Sequence, residues 1–118
     1  MPQYEVAPAV HLYCEDFGDG KAIIFTSAGI QTRKMWEHQT AGLGSKYRTI
    51  TYDWRGTGRS DRPRGPYSVD QAVDDLCALI EGQSIAPAVL AGHGIGCHVT
   101  LLAAHRRPEL VERMVLVS

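Results

Sequence analysis

The chain has 118 residues, short of the prior of roughly 150 residues per domain, so it holds at most one compact domain. With 44% hydrophobic and 21% charged residues, it carries enough apolar side chain for a core, which excludes disorder and fibrous architectures. Twelve Lys and Arg against thirteen Asp and Glu give a formal charge of −1, so no strong field steers the chain to nucleic acid or an anionic membrane, and a small or neutral ligand is expected.

The opening residues Met1 to Glu5 lack a basic run followed by an apolar stretch, and no segment approaches the roughly 18 apolar residues of a membrane span. A cytoplasmic protein is the expectation. Cys14, Cys77 and Cys97 are odd in number and widely spaced, without a C-x-x-C pair, so three reduced thiols are expected rather than a disulfide framework or a zinc site.

Short β-rich runs alternate with helical stretches, the pattern of βαβ units. Tyr4 to Ala9 and His11 to Glu15 read as strands. Gly18-Asp19-Gly20 turns the chain into Ala22 to Thr26, an apolar run suited to a strand buried on both faces. A weak helix over Trp36 to Leu43 leads to a strand over Tyr47 to Tyr52 and then to a Gly/Arg/Pro-rich loop from Trp54 to Pro66. In the strongest helix, Ser68 is the cap and Gln71 occupies the capping-box position. Val69, Ala72, Val73, Leu76, Leu79 and Ile80 follow helical spacing, while Asp70, Asp74, Asp75 and Glu81 read as a solvated surface. Pro87 to Ala91 is a strand, Ile95 to Arg107 a helix stopped by Pro108, and Arg113 to Val117 a final strand. Three successive strand–helix–parallel strand crossovers imply an α/β fold: an open, mostly parallel sheet with helices on both faces and ligands bound beyond the carboxyl ends of the strands. The loops there are Ser27 to Met35, Asp53 to Pro66 and Gly92 to Gly96.

Gly92-His93-Gly94-Ile95-Gly96 lies between an apolar strand and a helix, the setting in which G-x-S-x-G forms a nucleophile elbow. In such a turn the central side chain stands above the sheet and the next backbone N–H, here that of Ile95, helps to stabilise an oxyanion. Four features occur in order: the lead-in Tyr13 to Asp19, the loop ending at Trp36, the run Tyr52-Asp53-Trp54-Arg55-Gly56-Thr57-Gly58-Arg59-Ser60, and the Gly-rich turn followed by Val115-Leu116-Val117. Over nearly its whole length the chain resembles the N-terminal part of an α/β-hydrolase, through about the sixth strand, and most closely the esterase, lactonase and cofactor-free haloperoxidase-like branch.

The resemblance implies a catalytic nucleophile at position 94, which is Gly94 and carries no attacking atom. It implies an oxyanion loop at Ser27-Ala28-Gly29, where the family has His-Gly, with Gly29 and Ile95 supplying backbone N–H donors. Ser27, Ala28 and His93 are the expected ligand contacts. The family's acid and histidine follow the sixth strand, and neither is encoded up to Ser118. Three readings stay open: a lineage cleaving ester, lactone or similar acyl bonds of a small apolar molecule, now lacking its serine mechanism by natural loss or engineered Ser→Gly exchange; a ligand-binding pseudoenzyme; and an enzyme of other chemistry, such as oxygenation, isomerisation or cyclisation, using the oxyanion pocket. No cofactor is implied, and a C-terminal half or second chain is expected to complete the sheet.

Other side chains have simpler readings. Cys97, inside the first turn of the helix, reads as a small buried residue. His93 and His98 are wrongly spaced for shared metal ligation, the Ser27 hydroxyl has no base to activate it, and Asp53 and Arg55 read as shaping the glycine-rich loop.

Overall fold

The structure is a computed structural model that describes residues 3–29 and 31–117. Six strands form one sheet: β1 (Gln3–Ala7), β2 (Val10–Phe17), β3 (Lys21–Thr26), β4 (Tyr47–Tyr52), β5 (Ala88–His93) and β6 (Val111–Val117), in the spatial order β1-β2-β4-β3-β5-β6. The first two strands pair antiparallel with each other, and β2 pairs antiparallel with β4; the β4–β3, β3–β5 and β5–β6 pairs are parallel. Each parallel connection carries a helix, α1 (Glu37–Leu43), α2 (Val69–Gly82) or α3 (Ile95–Arg106), as the alternating pattern predicts.

Boundaries differ from the sequence reading where turn geometry intervenes. The first strand stops at Ala7 rather than Ala9, because Ala9 turns at φ +60°, and the second runs on to Phe17. The helix expected from Trp36 is preceded by a 3-10 turn over Arg33–Trp36, capped by Thr32. His93 belongs to β5, and β6 begins at Val111.

Both faces of the sheet are covered over its centre. Alternation along β3 sends Ile24 to one side, where it packs with Ile50, Leu90 and the buried faces of α2 and α3, and Ile23 and Phe25 to the other, against Trp36 and Ala91. Ser68 and Gln71 form the expected capping box, with Ser68 Oγ accepting from Gln71 N at 3.1 Å and Gln71 Oε1 accepting from Ser68 N at 3.2 Å. Such a cap contributes about 0.5–2 kcal/mol and fixes where the preceding loop meets the helix.

One acidic residue departs from expectation. Asp75 is not on the solvated surface: it is buried and paired with Arg55. Helical spacing places it one position before Leu76, at the margin of the apolar face, where the loop over Trp54 to Pro66 covers it.

Candidate active site at the turn between β5 and α3

Gly94 joins β5 to α3 at φ +60°, ψ −128°, a conformation that costs a side-chain-bearing residue about 1–3 kcal/mol. Its flanking glycines are required by close approach. A Cβ on Gly96 would stand 2.4 Å from the Thr26 carbonyl oxygen and 2.8 Å from that of Ser27; one on Gly92 would stand 2.6 Å from the Gly96 carbonyl oxygen. The end of β3, the turn and the first turn of α3 therefore touch backbone to backbone, and no larger residue fits.

This contact gathers four of the six sequence-derived site residues. A Cβ on Gly94 would lie 3.2 Å from the Cβ of Ala28, and one on Gly29 would lie 3.2 Å from Ile95 Cγ2. The Ile95 N–H is in the first turn of α3, where backbone N–H groups have no intrahelical acceptor and the helix dipole favours negative charge. Gly94 and Ile95 are both exposed.

Ser27 and His93 are turned elsewhere. Ser27 is fully buried, its Oγ donating to the Thr32 carbonyl at 3.2 Å and accepting from Trp36 Nε1 at 3.1 Å. His93 lies edge-on to Trp36, with ring centroids 6.5 Å apart, and its buried Nδ1 has no hydrogen-bond partner among the described residues. Both side chains thus brace the loop through Trp36, leaving backbone and Ala28 to face position 94. Cys97, expected to be buried, is half-exposed; its Sγ lies 3.4 Å from the carbonyl oxygens of Gly92 and Val117, because α3 begins beside the end of the uncovered strand β6.

A buried carboxylate holds the loops in place. Asp53 Oδ1 accepts from Arg33 N at 2.7 Å, and Asp53 Oδ2 accepts from Arg33 Nη1 at 2.7 Å and from Arg59 N at 3.0 Å. Arg33 is itself buried, stacks 4.4 Å from the centroid of the Tyr13 ring and lies 3.3 Å from Glu15 Oε2. Burial by itself lowers the Arg33 pKa, but the carboxylates of Asp53 and Glu15 outweigh it and hold the guanidinium above its ordinary value. Asp53 therefore joins the loop bearing Gly29 to the loop after β4. Sequence reasoning missed Arg33, since an arginine between two polar residues of a loop carries no periodic signal of burial.

The sequence reads Arg55 as shaping the glycine-rich loop, and in the structure Arg55 is half of a largely buried ion pair. Its Nε and Nη2 donate to the two oxygens of Asp75 at 2.8 and 2.9 Å, pinning the loop to α2, and those bonds hold the guanidinium above its ordinary pKa. Beside this pair a cavity of about 280 Å³ opens, reaching Gly29 and Ile95 at one end and bounded by Trp54, Tyr67 and Ala72. Tyr52 lies at its floor; burial pushes its phenol pKa upward, and its hydroxyl shares a 2.9 Å hydrogen bond with Thr26. Among the described residues no three His, Cys, Asp or Glu side chains cluster to hold a metal ion, and no helix is long and apolar enough to cross a membrane.

Comparison with known proteins agrees with this architecture. The chain is 36% identical over 112 residues to AB hydrolase superfamily protein YisY of Bacillus subtilis, covering 92% of this chain and 41% of that protein. It is 33% identical over 100 residues to 3-oxoadipate enol-lactonase 2 of Acinetobacter baylyi, covering 85% and 38%. Epoxide hydrolase VrEH1 of Vigna radiata superposes with a TM-score of 0.92 at 27% identity, covering 98% of this chain and 37% of that one. The chain spans about two fifths of the length of these relatives. The sequence model described as alpha/beta hydrolase fold matches residues 21–118, and the chain belongs to that family, corresponding to the N-terminal part of its longer members.

Proposed function

We propose that the chain is the N-terminal portion of a protein whose lineage hydrolyses an ester, lactone or similar acyl bond in a small, largely apolar molecule. The turn at Gly94 is the elbow on which the nucleophile of that chemistry stands, and Gly29 and Ile95 donate their N–H groups to the oxyanion. The observation that carries this reading is the Gly94 backbone, at φ +60° and ψ −128°, packed against Ala28 with Gly29 and Ile95 in contact. The enol-lactonase relative acts on an acyl bond, which supports the same class. With glycine at position 94, acyl-enzyme formation is closed to the protein as it stands, because no hydroxyl, thiol or carboxylate occupies the elbow.

The remaining sheet and the family's acid and histidine come from a further polypeptide segment, either a C-terminal half or a second chain, laid along β6. Four consecutive apolar residues, Met114 to Val117, stand exposed there, and their burial favours such a partner.

A serine-directed fluorophosphonate tests the site. In the protein carrying this chain and the family's C-terminal half, Gly94→Ser should yield a mass adduct on the introduced hydroxyl. In the 118-residue chain alone the same exchange should give almost none, for want of a base. Turnover of an acyl substrate by the protein with Gly94 intact, together with no adduct in the completed Gly94→Ser protein, would replace this reading with non-acyl chemistry. The similarity to an epoxide hydrolase is the observation that favours that second reading.

A further inference from the structure

The cavity beside Gly29 and Ile95 has a chemistry of its own. Its wall is mainly apolar and aromatic, from Leu12, Tyr52, Trp54, Tyr67, Val69 and Ile95; Thr57 and Ser68 add hydroxyls, and its charged members are Arg55 and Asp75. That pair is bidentate, with its two side chains only 14% and 5% exposed. Two of the three guanidinium nitrogens are spent on Asp75, and the third, Nη1, makes no hydrogen bond to another described residue; on the same wall the Trp54 indole N–H is buried without a partner among the described residues. Asp75 fixes the plane of the guanidinium and cancels its charge, but leaves these N–H groups undelivered. An anion entering the cavity meets the Asp75 carboxylate beside the guanidinium, and a cation meets Arg55 itself. Either also sheds its hydration against an aromatic wall without gaining a full counter-charge. An uncharged group with an acceptor oxygen suffers neither penalty and satisfies Nη1.

We infer that this cavity is a subsite for a compact, uncharged, acceptor-bearing aryl or branched alkyl group, with Arg55 as its hydrogen-bond donor and Asp75 as the residue that positions Arg55. The inference rests on the acyl-site reading only for direction: a carbonyl lodged at Gly29 and Ile95 would send one of its two substituents into the cavity. The binding chemistry itself depends on neither Gly94 nor catalysis.

Four near-isosteric benzene derivatives test it: acetophenone, benzoate, 1-phenylethylammonium and cumene. Each is titrated into the intact protein, together with any polypeptide that completes its sheet, while the Arg55 Nε–H and Trp54 indole N–H resonances are followed by NMR. Acetophenone should shift both resonances and bind at least about tenfold more tightly than each of the other three, since only it meets the unspent donor without carrying charge. The double exchange Arg55→Met with Asp75→Leu removes the pair as a unit, which buried ion pairs commonly tolerate, and should invert the order so that cumene binds better than acetophenone. Ala72→Leu fills the cavity from α2 and should abolish all the shifts. Benzoate binding as tightly as acetophenone would mean that Arg55 reads anions, and equal binding of cumene would mean that it donates nothing; either overturns the proposal. So would an absence of shifts with all four compounds. Loss of this selectivity with fluorophosphonate labelling intact would dismiss the subsite and leave the acyl-site reading standing, while the converse pattern would do the reverse.

Discussion

A Cβ built on Gly94 would stand 3.2 Å from the Cβ of Ala28, whereas one built on Gly96 would stand 2.4 Å from the backbone oxygen of Thr26. The two glycines of one turn thus answer to different constraints. At Gly94 the neighbour is a methyl group that can give by a few tenths of an ångström, and the main penalty is the positive φ. At Gly96 the obstacle is the end of a central strand.

The order of two substitutions follows from that difference. Gly94→Ala should fold and lose about 1–3 kcal/mol, the cost of a residue held in a sparsely populated backbone region. Gly96→Ala should lose more than about 3 kcal/mol, because relief requires α3 to move off the sheet. Urea denaturation followed by circular dichroism gives both values, and a Gly96→Ala protein no less stable than Gly94→Ala would refute the close packing of β3 on α3.

Asp53 offers a second contrast. Asp53→Asn leaves the buried Arg33 guanidinium without its fully buried counter-charge, and removing one partner of such a pair typically costs about 3–5 kcal/mol. Glu112→Gln breaks a pair with Lys21 whose side chains are 49% and 29% exposed, and should change stability by less than about 1 kcal/mol. Equal effects in the same denaturation assay would show that Arg33 reaches solvent and that Asp53 does not bind the two site loops together.

The element types of this fold were readable because each rests on local periodicity: the apolar run at Ala22 to Thr26, the Ser68 cap with its 3.6-residue pattern, and the glycine spacing around Gly94. The loop interiors were not. Nothing local separates Arg33 and Arg55, which end in or beside buried ion pairs, from Arg64, which is exposed; the difference lies in Asp53 and Asp75, each 20 residues away in sequence. For the same reason the engagement of the Ser27 hydroxyl by Trp36 and Thr32 has no local signal in the sequence. At the site, backbone geometry was legible and side-chain direction was not.

Alkaline titration should expose the core thiol. Burial chiefly, with the Asp53 and Asp16 charges adding to it, pushes the Cys14 thiol from 9.0 up to about 12. A group whose pKa is raised on folding stabilises the native state fully below its unfolded pKa, and that contribution disappears as pH climbs through the folded value. Unfolding free energy should therefore hold up to about pH 9 and fall between there and pH 12, and Cys14→Ala should lessen the fall. Iodoacetamide at neutral pH should modify the half-exposed Cys97 well before Cys14. A Cys14→Ala protein with an unchanged alkaline slope would place the loss on other groups, the buried Tyr52 phenol first among them.

Strand β6 makes the last prediction. It pairs with β5 alone among the described residues, and Met114, Val115, Leu116 and Val117 are 39%, 52%, 44% and 42% exposed. Register with β5 sends Met114 and Leu116 to the face of Leu90, and Val115 and Val117 to the face of Ala91, so neither face of the strand is fully covered. Exposed edges are normally blunted by charge, proline or a bulge. The only charges here, Glu112 and Arg113, lie at the start of the strand, and Glu112 is already paired with Lys21. The bare 118-residue chain should therefore self-associate at micromolar concentrations, and supplying the family's remaining strands should return it to a single compact species in sedimentation velocity. Val115→Lys places a charge on the exposed face without touching the cluster around Leu76, and should reduce self-association while leaving the far-ultraviolet spectrum unchanged. A bare chain that sediments as a compact monomer and unfolds cooperatively would mean that the apolar row on β6 needs no partner, and the proposed completing segment would lose its physical basis.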